Sequence, residues 1–352
     1  MEKIVIVTGY DKFFGQSRKP WVSINTDLFI DELKRRGYEV ISYEFYLIAN
    51  NLVKLKNMTI LYSFSQKYNL RFLIKDTIRY LEKEGNTLIP DYNLLYCHEN
   101  KGYQEYYKRQ LGITKPSALY FSSKREMCHL DIEFPKVMKT IEGTNGRGVF
   151  LVHSKADVHK VLQKLEKPLS IGERIDLLRR RYLRRKKHFE GFPDFDPIKD
   201  YCQYRDYIKQ EIPFILQDFV ENLTCDYRVI VLYDHYFVVK RMVNEGDFRA
   251  SGTKKFVFDF DMPAGLLDYA KNIFDTFKSP MLSMDIGSTG KEFYLFEYQA
   301  IHFGISGVVR SKGYYINDNG EWKFAEAKTV FEIALAEAFD KYLIATGSKN
   351  SE

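Results

Sequence analysis

Near the start of the chain, short apolar runs alternate with amphipathic stretches, and that alternation limits the possible folds more than any other feature. Ile4-Val5-Ile6-Val7 is a four-residue apolar run that reads as a strand. A helical stretch around Leu28 to Arg36 follows, stopped by Gly37, and a second strand pattern runs from about Glu39 to Tyr46. Strand, helix, strand in that order calls for an α/β lobe with a parallel sheet, because parallel neighbours need a crossover between them. Tyr68 to Glu84 reads as a further amphipathic helix, closed by Gly85.

The apolar runs, such as Ile4–Val7 and Val229–Leu232, fall far short of the roughly 18–20 residues that span a bilayer, so no transmembrane segment is expected. No basic stretch followed by a long apolar one opens the chain, so no secretory leader is expected. A 45% hydrophobic and 16% aromatic content excludes a disordered chain. Cys97, Cys128, Cys202 and Cys225 are far apart and form no C-x-x-C pair, which fits neither a disulfide framework nor a zinc site. Reduced thiols and a cytoplasmic location are the expectation.

Further along, Lys101 to Leu111 reads as a helix running into Gly112, and Pro135 to Val152 as two strands around a glycine-rich turn. Residues 155–210 look mostly helical and charged, with a loop at Gly191 to Pro197. Strands are expected at Phe214 to Val220, Tyr227 to Leu232, Tyr236 to Arg241, Met281 to Ile286 and Phe293 to Ala300. Helices are expected at Pro263 to Phe277 and Thr329 to Ala345. A chain of 352 residues has room for two or three lobes of roughly 100–200 residues. The expected division is an N-terminal α/β lobe at 1–95, a second lobe at 96–212 containing a basic helical insert at 155–210, a third at 213–345, and a polar tail at 346–352.

Three constellations can carry chemistry. In Lys139-Thr140-Ile141-Glu142-Gly143-Thr144-Asn145-Gly146-Arg147-Gly148, the glycines let backbone N–H groups approach phosphate oxygens and Lys139 adds a positive charge. It is not a Walker A loop, and read alone it is more plainly a flexible hairpin turn. Asp285, Glu297 and Gln299 form the second: Glu297 and Gln299, two apart, share a strand face, and hard oxygens from adjacent strands suit Mg²⁺. A solvated polar strand face is the plainer alternative, which the apolar flanks Leu295-Phe296 and Ala300-Ile301 weaken. The third runs Gln217-Asp218-Phe219-Val220, Asp226-Tyr227-Arg228, then Asn244 to Arg249. Its backbone can meet an adenine edge, a carboxylate can meet a ribose, and Arg228 and Arg249 can hold phosphate or carboxylate.

In this order the three constellations resemble the ATP-grasp superfamily of carboxylate-amine ligases, in style nearest the branch that adds glutamate to a ribosomal protein. The resemblance covers about residues 95–300, with the N-terminal lobe as a pre-ATP-grasp domain. It implies ATP and Mg²⁺ as cofactors, with Mn²⁺ as a substitute metal. Lys101 and Lys139 become phosphate-contacting lysines, and Gly143, Thr144, Asn145, Gly146 and Gly148 the loop over the phosphates. Gln217, Asp218, Phe219 and Val220 become the segment reading adenine, with Asp226 near the ribose or phosphates. Arg228 and Arg249 are assigned to the γ-phosphate and the acyl phosphate, and Asp285, Glu297 and Gln299 to the metal. Gln299 stands where the family usually has Asn, and Asp218 where Glu is common. Ala300-Ile301-His302-Phe303-Gly304 replaces the usual small-residue and proline turn.

The implied activity joins a small-molecule or peptide-like carboxylate to an amine through an acyl phosphate, releasing ADP. Amidation of a uronic acid or other cell-surface polysaccharide precursor is an alternative, and a nucleotide-binding protein without catalysis is another. A homodimer is common among similar ligases. His302 reads more plainly as a buried, hydrogen-bonded histidine than as a substrate contact or base. Ser306, Arg310 and Lys312 are equally solvated loop residues or contacts to an acidic substrate. The net charge of +6 is local: Arg179, Arg180, Arg181, Arg184, Arg185, Lys186 and Lys187 outnumber the whole excess. No specific nucleic acid is therefore expected. The basic run is either a solvated helix face or a docking patch for an acidic substrate, a pyrophosphate-linked carrier or a membrane surface.

Overall fold

The structure, a computed structural model, describes residues 2–15, 23–65, 67–143, 148–183, 196–223, 225–242 and 256–347. Two compact units result: residues 1–117 with 142–147 and 220–352, and residues 118–141 with 148–219. Residues 1–95 and 213–345, expected as separate lobes, thus fall almost wholly within one unit.

The first unit begins with β1 (Lys3–Thr8), β2 (Glu39–Glu44), β3 (Thr59–Tyr62) and β4 (Thr87–Ile89), all parallel and ordered β2-β1-β3-β4. Both faces of this sheet are covered, since Val5 and Val7 enter one core cluster while Ile4 and Ile6 enter another. Helix Tyr68–Lys83 covers one face because Leu70, Ile74, Ile78 and Leu81 recur at helical spacing and are buried, at about 1.5–3 kcal/mol each. Helix Thr26–Arg35 packs on the C-terminal helix Phe331–Ala345, with Phe29 edge-on to Phe339. The second strand stops at Glu44, earlier than expected, because Phe45 and Tyr46 begin helix Phe45–Ala49, where Phe45 and Ile48 reach the core.

The second unit holds β5 (Ala118–Phe121), β6 (Lys136–Thr140), β7 (Val149–Val152) and β8 (Phe214–Asp218), antiparallel and ordered β5-β8-β6-β7. Met138, Phe214 and Leu216 face a core that helix Lys155–Leu165 completes with Val158 and Leu162. Helices Ile171–Tyr182 and Pro197–Ile208 follow, matching the charged helical insert; most of its expected loop at 191–197 lies outside the described residues.

Back in the first unit, an antiparallel seven-stranded sheet comprises β9 (Cys225–Leu232), β10 (His235–Met242), β11 (Phe256–Val257), β12 (Met281–Ser288), β13 (Phe293–Gln299), β14 (Gly313–Asp318) and β15 (Glu321–Glu326). Its main order is β13-β12-β9-β10-β14-β15, and β11 pairs with β10. Among the described residues no helix is long and apolar enough to cross a membrane.

Candidate active site

Successive residues of a strand point to opposite faces, and on β9 this separates apolar from charged side chains. Tyr227, Val229 and Val231 enter one core cluster with Val238, Leu282, Met284 and Ile286. The opposite face carries Asp226 and Arg228 at one end and Ile230 and Leu232 at the other, where Phe237, Met281 and the C-terminal helix cover it. The same face thus begins as an ionic patch and ends as a core.

Register gathers the patch. Asp285 stands opposite Arg228 on one side and Glu297 on the other, while Arg241 stands opposite Asp226. Arg228 donates Nε to Asp285 Oδ1 at 2.9 Å and Nη2 to Oδ2 at 3.0 Å. Arg241 donates Nε and Nη2 to Asp226 at 2.5 and 2.6 Å, and its Nη2 lies 2.9 Å from Asp285 Oδ2. These are bidentate, charge-assisted pairs. Burial alone would raise the Asp285 pKa, but Arg228 and Arg241 outweigh it and hold the carboxyl well below the usual range. Asp285 is therefore ionised at neutral pH, with three of about four lone-pair positions engaged.

The donor set beside it fits a hard cation. Glu297 and Gln299 share the face, and Gln299 Nε2 donates to Glu297 Oε1 at 3.3 Å. Gln299 Oε1 is buried beside the His98 imidazole, which interacts with the Gln299 amide. A buried amide carbonyl next to two carboxylates is a set of hard oxygen donors of the kind that suits Mg²⁺.

Lys101 opens helix Lys101–Gln110 and is buried, its Nζ donating to the Gly143 carbonyl at 2.8 Å. Thr144, Asn145 and Gly146 lie outside the described residues. Just before the helix, Glu99 takes φ +52°, a region that an acidic residue seldom occupies, and its carboxylate meets Arg71 at 2.6 Å. Burial raises the Glu99 pKa. His302 is buried as expected, yet among the described residues neither of its ring nitrogens has a hydrogen-bond partner; the buried His98 ring lies 5.9 Å away, edge-on. Desolvation pushes His302 down to about 4 and His98 well below its usual value. Ser306 begins a short helix, Ser306–Val309, with Arg310 at its C-terminal cap.

In the second unit, Lys139 and Gln217 lie on the face of the sheet opposite Met138 and Leu216. Lys139 Nζ donates to Gln217 Oε1 at 2.7 Å, and both side chains are buried. Lys136 bonds Asp218 Oδ1 at 2.6 Å. Phe219 and Val220 continue from β8, half-buried, where the chain passes from one unit to the other. Gly148 has φ +76° and closes the hairpin by accepting from the Thr140 N–H at 2.9 Å.

The structure thus brings Asp226, Arg228, Asp285, Glu297 and Gln299 together in the first unit and Lys139 with Gln217 in the second. Arg249 lies outside the described residues. Sequence reasoning overlooked Arg241, although it falls in phase with Phe237 and Val239 on the strand and so had to share their face. It also passed over Arg71 and Glu99, which no motif marks.

No protein-family model and no curated protein matches the sequence. Solved structures do. A RimK-domain ATP-grasp protein from Sphaerobacter thermophilus aligns over 96% of this chain and 98% of its own at 12% identity, with a TM-score of 0.50. D-alanine–D-alanine ligase from Bacillus anthracis, complexed with ATP, aligns over 99% of each chain at 12% identity and a TM-score of 0.50. An ATP-grasp ligase from Chryseobacterium gregarium, associated with ribosomally made modified peptides and bound to ADP and leader and core peptides, aligns over 97% of each at 12% identity and 0.50. The parallel four-stranded sheet and the two antiparallel sheets are those of the ATP-grasp fold.

Proposed function

We propose that the protein is an ATP-dependent carboxylate-amine ligase forming an amide or peptide bond through an acyl phosphate. The observation that carries the reading is the pairing of Asp285 with Glu297 across β12 and β13, flanked by Arg228 and Arg241 and by the buried Gln299 carbonyl. A carboxylate is a poor electrophile. Attack of its oxygen on the γ-phosphorus of ATP releases ADP and leaves an acyl phosphate; the amine then adds to the acyl carbon, phosphate departs, and a proton is lost. Two anions must meet in the first step, so positive groups have to offset their repulsion. Lys139, with Gln217, serves the nucleotide, Lys101 and the glycine segment the phosphates, and Arg228 the charge that develops on transfer. Mg²⁺, held by Asp285, Glu297 and Gln299, would neutralise phosphate charge. The peptides bound by the Chryseobacterium ligase favour a peptide-like substrate.

A coupled assay of ADP release, with and without Mg²⁺, across pairs of carboxylates and amines tests this. ADP release that requires both the carboxylate and the metal is expected. Glu297→Ala should lower it about a hundredfold or more while leaving the unfolding transition in place. Nucleotide binding without turnover across the panel would favour a non-catalytic nucleotide-binding protein, and near-normal turnover in Glu297→Ala would remove the metal assignment.

A further inference from the structure

Helix Ile171–Tyr182 of the second unit has two unlike faces. Its inner face is engaged: Leu177 is buried, the Arg180 guanidinium lies 3.5 Å from the centre of the Tyr204 ring and reaches Asp200 at 3.3 Å, and Asp176 takes Arg179 and Arg180. The outer face is bare and apolar. Ile171, Ile175, Leu178 and Tyr182 are 78%, 60%, 55% and 53% exposed. Their spacing puts them within an arc of roughly 60° at about 100° per residue. Four large apolar side chains in a stripe on the water side of one short helix are not how a solvated helix is built.

The charges say what the stripe meets. Arg174 and Arg181 flank it on one side and Arg179, whose guanidinium also reaches Asp176 at 2.7 Å, on the other; all three are exposed, while both acidic residues of the helix, Glu173 and Asp176, fall on the inner half. The sequence adds Arg184, Arg185, Lys186 and Lys187 directly afterwards. An apolar stripe with arginines on both flanks matches an interface that is apolar in its middle and anionic at its edges. We propose that this helix docks the protein onto the surface of an anionic lipid bilayer, with Ile175 and Leu178 entering the acyl boundary and the arginines resting among the headgroups. A bilayer accepts a convex helix face as it stands, whereas a protein partner would need a matching acidic groove.

Flotation of the full chain with vesicles tests the proposal independently of ligase activity. Binding is expected to an equal mixture of phosphatidylcholine and phosphatidylglycerol, weakened by salt, and absent with phosphatidylcholine alone. The Ile175→Ser/Leu178→Ser variant should lose at least about tenfold in vesicle affinity. Arg174→Gln/Arg181→Gln should lose most of its preference for the anionic mixture. All four side chains are exposed, so circular dichroism and the unfolding midpoint should not change. Absence of binding to the anionic vesicles, or equal binding by the folded Ser variant, overturns the proposal. So does concentration-dependent self-association that the Ser variant abolishes, which would make the stripe a contact between copies of the chain.

Discussion

At the scale of single residues, Arg241 decides whether two buried carboxylates can coexist. It is 3% exposed and bridges Asp226 and Asp285, which are 6% and 7% exposed. Removing one partner of such a cluster leaves an uncompensated charge away from water, so Arg241→Met should destabilise the protein by about 3–5 kcal/mol in urea titration. Asp285 keeps its bidentate pair with Arg228 in that variant, whereas Asp226 loses both of its hydrogen bonds to Arg241 and keeps only the more distant charge of Arg228. Adding Asp226→Asn should therefore recover much of the loss. A loss below about 1 kcal/mol in Arg241→Met would mean that water reaches the cluster.

At the scale of elements, the hairpin of β6 and β7 depends on one backbone conformation. Gly148 has φ +76°, and a Cβ there would stand 2.1 Å from Thr140 Oγ1 and 3.2 Å from Thr140 Cβ. Gly148→Ala meets both a disfavoured backbone region and a clash, and should cost about 1–3 kcal/mol in chemical unfolding. Thr140→Ala in the same chain removes the closest contact but not the backbone strain, so partial recovery is expected. Full recovery would show that the clash alone mattered. The glycine that looked like a phosphate-loop residue thus has a structural duty in closing the hairpin.

At the scale of the whole molecule, acid should unfold the protein through its buried imidazoles. His302 and His98 take up protons less readily when folded than the roughly 6.5 of a free histidine. As pH falls below that value the unfolded chain binds protons first, so stability present at neutral pH is lost on acidification until about pH 4 for His302. At about pH 5 His302 alone should account for a loss of about 2 kcal/mol relative to neutral pH. Asp285, whose pKa is depressed, loses its contribution only at much lower pH, below the ordinary carboxyl value. Urea midpoints at neutral pH and near pH 5 should converge in His302→Phe relative to the parent; an unchanged pH slope would place the imidazole in contact with water.

The sequence by itself determined the alternation that makes a parallel sheet, the long amphipathic helices, the polar pair Asp285 and Glu297, and the local origin of the charge. These follow from period and composition, which are properties of neighbours along the chain. The strands Thr59–Tyr62, Thr87–Ile89 and Ala118–Phe121 went unread because each has only three or four residues and none is an unbroken β-branched run like Ile4–Val7. The hairpin Gly313–Asp318 and Glu321–Glu326 also went unread, although Asn319-Gly320 is a turn signal; its first strand is mostly half-buried and its second largely exposed. Only tertiary structure decided register, and with it that Arg228 and Arg241 reach the same carboxylate, that Glu297 lies opposite Asp285, that His98 and His302 are buried near one another, and that the stripe on helix Ile171–Tyr182 faces water. Register and burial depend on which distant segments pack together, and that free energy belongs to the assembled sheet rather than to any one stretch of chain.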